Sequence, residues 1–163
     1  MRENHEEQIL RNPAYLACLL WNLARVFADK GGGRSPNLTH MVIGTSMLFH
    51  AASVEKIRAM KFDSGLLKAI SDVPELVAGG QSRLEAALPT CLQALQLGVA
   101  AGIIQRESGH GLPTFLALGT NLPKALRDTD ATSGPGISAA RRLGAWFARD
   151  DLAIVRGRMG VRF

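Results

Sequence analysis

The segment that follows Asn12-Pro13 is predicted to form a helix that is apolar around almost its whole circumference. Asparagine is a favoured N-cap and proline suits the first helical position, while Gly31-Gly32-Gly33 ends a helix in the usual C-terminal way. The apolar positions are Tyr15, Leu16, Cys18, Leu19, Leu20, Trp21, Leu23, Val26 and Phe27, and only Asn22, Arg25 and Asp29 form a polar strip. Such a helix must be buried on several sides, so the rest of the chain has to surround it.

Further helical segments follow in the first half of the chain. Ser35-Pro36 is expected to begin a second helix that runs to His50, although Gly44-Thr45-Ser46 leaves a strand as the alternative. Residues 54–60 are predicted to form a short helix capped by Ser53. Another is predicted after Asp63 or Ser64, with Leu66, Leu67 and Ile70 pointing inward.

A longer helix is expected from Pro74 to Leu88. Pro89 must kink or restart it, because proline lacks the amide donor and clashes with the preceding turn. Leu92, Leu95, Val99 and Ile103 then recur at intervals of three or four, and Gly102 ends the helix.

Residues 103–106 and 112–118 are predicted to be two short strands, joined by a Glu-Ser-Gly-His-Gly hairpin loop. A helix followed by such a hairpin resembles the wing of a winged-helix domain. Helices are predicted again over 137–148 and, capped by Asp150 or Asp151, over 152–159. The sequence therefore predicts one compact, mainly α-helical domain over 1–163 with one small β-hairpin, winged-helix-like, in which residues 1–11 are a flexible N-terminal lead.

Composition narrows the class of protein. No apolar run of the 163 residues reaches the roughly 20 that span a bilayer, and the first residues lack the apolar core of a secretory signal. Cys18 and Cys91 have neither disulfide nor metal spacing and are expected to be buried thiols. We therefore expect no membrane association and a reducing, cytoplasmic location.

The positive charge is concentrated at the C-terminal end. The formal net charge is +5, and residues 141–163 hold six arginines against two acids, Asp150 and Asp151. The arginines are Arg141, Arg142, Arg149, Arg156, Arg158 and Arg162. This pattern is typical of a surface that binds an acidic protein or nucleic acid, or of a solvated arginine-rich tail.

No catalytic or cofactor-binding constellation stands out. The four histidines, His5, His40, His50 and His110, lie apart from one another and from the cysteines, whereas zinc sites have closely spaced ligand pairs. The glycines before Arg34 lack the Gly-Lys-Ser/Thr of a phosphate loop. Asp128 and Asp130 could supply two oxygens to a divalent ion, so a metal-dependent hydrolase is the weakest alternative. We predict no enzyme, no metal and no cofactor.

A sequence-reading DNA-binding domain is also disfavoured. The helix before a wing usually enters the major groove and needs basic or amide side chains on its outer face, but residues 84–105 contain no lysine or arginine. That helix is typical of core or of a protein interface. Contacts with nucleic acid would come from the C-terminal arginines and would be non-specific phosphate contacts.

Five segments, taken in order, resemble the middle-component proteins of prokaryotic ABC three-component systems. They are Asn12-Pro13-Ala14, Leu48-Phe49-His50, residues 95–104, the Arg-Leu-Gly-Ala-Trp-Phe of residues 142–147, and the terminal Gly-Val-Arg-Phe of residues 160–163. One departure lies between Gly31 and Lys61, where the leucine-proline step of the family is missing.

The resemblance implies a non-enzymatic adaptor in a conflict system against phage or plasmids. Such proteins are encoded beside an ABC ATPase related to SMC and Rad50 proteins and beside a variable effector, and the middle component would link the two. The apolar helices also suggest a homodimer or an obligate partner. Trp146 lies beside arginine and about 100° around its helix from Phe147, so Trp146 and the six arginines are the predicted partner-binding residues.

Overall fold

The computed structural model describes residues 12–124 and 134–162. Within these ranges the chain forms seven α-helices, two 3₁₀ turns and one two-stranded sheet. They are α1 (Pro13–Lys30), α2 (Leu38–Leu48), α3 (Ala51–Arg58), a turn (Phe62–Ser64), α4 (Leu66–Asp72), a turn (Pro74–Leu76), α5 (Gly80–Ala100), β1 (Ile104–Glu107), β2 (Thr114–Ala117), α6 (Pro135–Arg149) and α7 (Leu152–Met159). The prediction of a mainly α-helical fold with one β-hairpin is confirmed. Residues 1–11 lie outside the described part, so the N-terminal lead stays a prediction, as does the single domain.

Helix α1 lies at the centre of the fold. The side chain of Asn12 accepts a hydrogen bond from the amide of Tyr15, 3.3 Å away, and Pro13 takes the first helical position. Gly31 ends the helix by donating to the carbonyl of Phe27. Eleven of its residues are buried against α5, α6, α2 and the hairpin, as an apolar circumference requires.

Helix α6 packs closely against α1 through two glycines. A Cβ atom at Gly136 would contact the hydroxyl of Tyr15, and one at Gly144 would collide with the carbonyl oxygen of Leu23. The two backbones can therefore approach only because these positions have no side chain. The central helix pair is formed by segments more than 100 residues apart in the chain.

Helix α2 begins at Leu38, so the prediction that Ser35-Pro36 opens it is wrong. Asn37 and His40 form a reciprocal capping box at its start. Pro36 is extended instead, because its carbonyl accepts from Phe115 in β2, while the amide of Leu38 donates to Pro113. The alternative of a strand at Gly44 is also wrong: Gly44 is helical, and Leu23 occupies the space that a side chain would fill.

The next helices differ from the predictions mainly at their ends. Helix α3 begins at Ala51, three residues earlier than predicted, and no side chain caps it. Helix α4 is preceded by Gly65 with φ +80°, and neither Asp63 nor Ser64 caps it. Pro74 begins a 3₁₀ turn rather than a long helix, whereas α5 runs without a break through Pro89.

The hairpin is antiparallel, with Ile104 opposite Ala117 and Glu107 opposite Thr114. It follows α5 directly, and Ile104 packs against Gly98 of that helix. The indole nitrogen of Trp21 donates to the carbonyl of Leu118, 3.0 Å away, which fixes the end of the hairpin to α1. The two predicted strands are confirmed, and the relationship to winged-helix domains stays a prediction.

Both C-terminal helices lie where the sequence predicts them. Helix α7 is capped by the carboxylate of Asp151, which accepts from Ala153 and Ile154, and it ends at Gly160 with φ +67°. None of the helices in residues 12–124 and 134–162 has the length and apolar character needed to cross a bilayer.

Candidate partner-binding surfaces

Arg142 of α6 is held in a defined position at the surface. Its guanidinium lies over the ring of Phe62, with 4.6 Å between Cζ and the ring centroid. Its Nε donates to the carbonyl of Met60 at 2.7 Å, and its Nη1 donates to the carbonyl and hydroxyl oxygens of Ser138. Such a side chain loses little conformational freedom when a partner binds.

Three side chains of α6 hold the turn that follows α3. Arg142, Trp146 and Arg149 lie four and three residues apart, so they project from one side of the helix. They donate in order to the carbonyl oxygens of Met60, Phe62 and Asp63. The turn over residues 60–63 is thus fixed by long-range contacts that its own sequence does not reveal.

Trp146 is fully buried in this arrangement. The prediction that its side chain lies on a partner surface is therefore wrong. The reason is the turn over residues 60–63, which covers the indole and accepts its N–H through Phe62.

The basic side chains around this turn form what we call the arginine surface. It consists of Arg58, Lys61, Arg141, Arg142 and Arg149. Arg142 is half-buried and the other four are exposed. Burial, and then the nearby charges of Arg58 and Arg141, lower the pKa of Arg142, so these three cations lie close together.

A cleft of about 370 Å³ opens within the arginine surface, between Arg141, Arg142 and the ring of Phe62. Two acids accompany it: Glu55 pairs with Arg58 at 2.9 Å, and Asp63 is exposed in the turn. Three of the predicted arginines, Arg141, Arg142 and Arg149, therefore belong to this surface. The sequence analysis did not assign Phe62, Arg58 or Lys61 to a binding surface. The closely spaced basic residues of the segment 56–61 are a signal that could have indicated Arg58 and Lys61.

The other three predicted arginines lie outside the arginine surface. Arg156 is half-buried on α7, and Arg158 is exposed on the same helix. Arg162 lies beside the start of α5, where its amide donates to the side-chain oxygen of Gln81 at 2.9 Å. The arginine-rich end of the sequence is thus divided between two regions of the described fold.

A second surface, which we call the α5 groove, lies between α5 and the hairpin. It is an open, mainly apolar cleft of about 530 Å³. Its lining residues are Leu38, Leu92, Leu95, Gln96, Val99, Ala100, Arg106, Pro113 and Phe115. Leu92 and Val99 are 41% and 42% exposed. The sequence predicts that this helix is either core or a protein interface. The structure agrees with both alternatives, since one face of α5 is buried and the other carries exposed leucines.

The two surfaces share no residue. The arginine surface is formed by α3, the turn over residues 60–63 and α6, whereas the α5 groove is lined by residues of α2, α5 and the hairpin.

Both cysteines and His40 are withdrawn from solvent. Burial raises the pKa of Cys18, and it raises that of Cys91 to about 12 against the opposing effect of a hydrogen bond from Thr45. Burial, and then the charge of Arg34, lowers the pKa of His40 to about 4. Within 12–124 and 134–162 no three His, Cys, Asp or Glu residues are grouped as metal ligands. Asp128 and Asp130 lie outside those ranges.

The model of one protein family matches the chain over residues 2–163, and that family is described as MC3, the ABC-three component (ABC-3C) system Middle Component 3. No curated protein and no solved structure matches the chain.

Proposed function

Because the chain belongs to the Middle Component 3 family of ABC-three component systems, we propose that it is a non-catalytic adaptor that joins an SMC/Rad50-like ABC ATPase to an effector. The system would act in the cytoplasm against phage or plasmids. The adaptor uses no metal or cofactor and binds an acidic surface of one of its protein partners through the arginine surface.

The observation that carries this proposal is the arrangement of Arg142 over Phe62, beside Arg58 and Arg141. Arginine and aromatic side chains are enriched at the centres of protein interfaces. Three cations held near one another repel, and an acidic partner would relieve that repulsion. The cleft beside Phe62 gives a partner side chain a place to insert.

The test is co-purification of the full chain with the ATPase and effector of its own locus. Arg58→Glu combined with Arg141→Glu reverses two exposed charges without removing a contact that holds the turn over residues 60–63. We expect recovery of the complex to fall at least about tenfold, which corresponds to about 1.4 kcal/mol. Lys68→Glu combined with Arg158→Glu, which reverses two exposed charges on α4 and α7, is the matched control and should leave recovery unchanged.

Equal recovery of the complex with both double variants would contradict the proposal. So would activity of the purified adaptor alone on a nucleotide or nucleic-acid substrate.

The alternative is a nucleic-acid-binding module, supported by the exposed Arg158 and Arg162. In that case DNA retention should fall with salt, with a log–log slope of about 0.9 per phosphate contact. Arg158→Glu with Arg162→Glu should then abolish retention. A complex that resists nuclease and tolerates salt would exclude this alternative, because phosphate contacts are weakened by salt.

A further inference from the structure

The exposed face of α5 carries no charge from residue 86 to the end of the helix. Residues 86–105 contain no Asp, Glu, Lys, Arg or His. Leu88, Leu92, Leu97 and Val99 are exposed on the helix, each by 38% or more. Single exposed leucines are ordinary, whereas a contiguous apolar patch marks an interaction site.

The apolar side chains that border the α5 groove have the spacing of a helix-pairing seam. Leu88, Leu92, Leu95 and Val99 are separated by four, three and four residues, which is the heptad pattern of two helices packed side by side. Leu95 forms the buried floor of the groove, and Leu88 lies two turns before Leu95 on the same helix. Each chain thus offers both a cavity and a side chain that could fill one.

This seam is symmetric about its midpoint. If two copies of α5 run antiparallel about a twofold axis between Leu92 and Leu95, Leu88 meets Val99 and Leu92 meets Leu95 in both directions. A twofold interface brings each surface against itself, so the absence of charge from the seam also removes any repulsion between like residues.

The charges at the two ends of the seam are complementary in the same arrangement. Arg106 lines the groove beside Val99, and Glu85 is exposed one turn before Leu88. Where Leu88 of one copy meets Val99 of the other, Glu85 of the first copy comes near Arg106 of the second. The two Arg106 side chains would lie at opposite ends of the helix pair, farther apart than the roughly 10 Å screening length.

We propose that two copies of this chain form a homodimer by antiparallel packing of α5, with Leu88 of each copy in the α5 groove of the other and Glu85 facing Arg106. The dimer uses none of the residues of the arginine surface. It would carry two arginine surfaces, one on each copy.

The first experiment is sedimentation of the full chain across concentrations from about 1 to about 300 µM, since a homodimer dissociates on dilution. We expect a concentration-dependent dimer that Leu92→Glu converts to monomer. Ile154→Glu changes a comparably exposed apolar residue on α7 and should leave the dimer intact. Circular dichroism of each variant verifies the fold.

A charge swap then tests the register. We expect Arg106→Glu and Glu85→Arg each to weaken the dimer about threefold to tenfold, as for an ion pair at an interface rim, and the double variant to restore it. A wild-type monomer at every concentration would overturn the proposal, as would a dimer that Leu92→Glu spares. If the double variant dimerises more weakly than either single variant, the antiparallel register is wrong. If the chain is monomeric and the ATPase or effector binds at α5, that partner and not a second copy occupies the α5 groove, and the proposal is overturned.

Discussion

The carboxylate of Asp150 accepts a hydrogen bond from the backbone amide of Leu66, 84 residues earlier in the chain. The same oxygen accepts from the amide of Leu67 at 3.2 Å. Helix α4 begins at Leu66 after a glycine with φ +80° and has no capping side chain of its own. The residue that follows α6 therefore supplies the N-cap of α4.

Replacing this long-range cap should destabilise the whole fold. We expect Asp150→Ala to lower the free energy of unfolding by about 1–2 kcal/mol, because two amides at a helix N-terminus lose their acceptor. Urea denaturation measures the change. Asp72→Ala, at the exposed C-terminal end of the same helix, should change the stability by less than about 0.5 kcal/mol, and equal effects of the two variants would contradict the capping role.

The close crossing of α1 and α6 depends on the missing side chain of Gly144. We expect Gly144→Ala to destabilise the chain by about 1–3 kcal/mol or more, because the new methyl group would meet the backbone of Leu23. Gly157→Ala is the matched control on α7, where nothing lies within 4 Å of the added atom. That change should stabilise by about 0.5–1 kcal/mol through helix propensity. Thermal unfolding measures the stability of both variants. A Gly144→Ala variant as stable as the wild type would show that α1 and α6 can move apart to accommodate the methyl group.

The buried imidazole of His40 should make stability depend on pH. Its Nδ1 accepts from the amide of Asn37, and its ring lies between those of Phe27 and Phe147. Burial lowers its pKa from 6.5 to about 4, so between these values the unfolded chain binds a proton that the folded chain does not. Stability should therefore fall as pH falls from about 6.5 to about 4, by roughly 3 kcal/mol in total.

The contribution of His40 can be isolated by substitution. The free energy of unfolding should change less across this pH range in His40→Gln than in the wild type. His110→Gln, in the exposed hairpin loop, should keep the pH dependence of the wild type. An unchanged pH dependence in His40→Gln would assign the effect to other groups.

Trp146 is expected to act through the fold rather than through direct contact with a partner. Trp146→Phe removes the hydrogen bond to Phe62 and part of a fully buried side chain, so the free energy of unfolding should fall by about 1–3 kcal/mol. Trp21→Phe removes a similar bond, to Leu118, and should destabilise the chain to a similar extent. A Trp146→Phe variant with wild-type stability that no longer assembles with its partners would contradict this assignment.

Elements whose ends are set by local residues could be predicted from the sequence. Asn12-Pro13 begins α1 and Asp151 caps α7, because each of these side chains acts within its own first turn. The hairpin was predictable as two short strands joined by a glycine-containing loop. The apolar circumference of α1 also predicted its central position.

The errors come from contacts between distant parts of the chain. Ser35-Pro36 has the pattern of a helix start, but the hairpin binds Pro36 in an extended form and the capping box moves to Asn37. Asp63 and Ser64 resemble caps, yet Asp150 takes that role. Trp146 was assigned to the surface because the position of the turn over residues 60–63 is fixed by α6 and not by its own residues.

The pairing of α1 with α6 has a consequence during synthesis. Helix α1 is made first, but the helix that packs most extensively against it ends at Arg149. At about 5–20 residues per second, roughly 6–24 s separate the completion of the two helices on the ribosome. During that interval the nascent chain carries an apolar helix without its main partner, so chaperones that hold exposed apolar segments have a natural substrate in the unfinished protein.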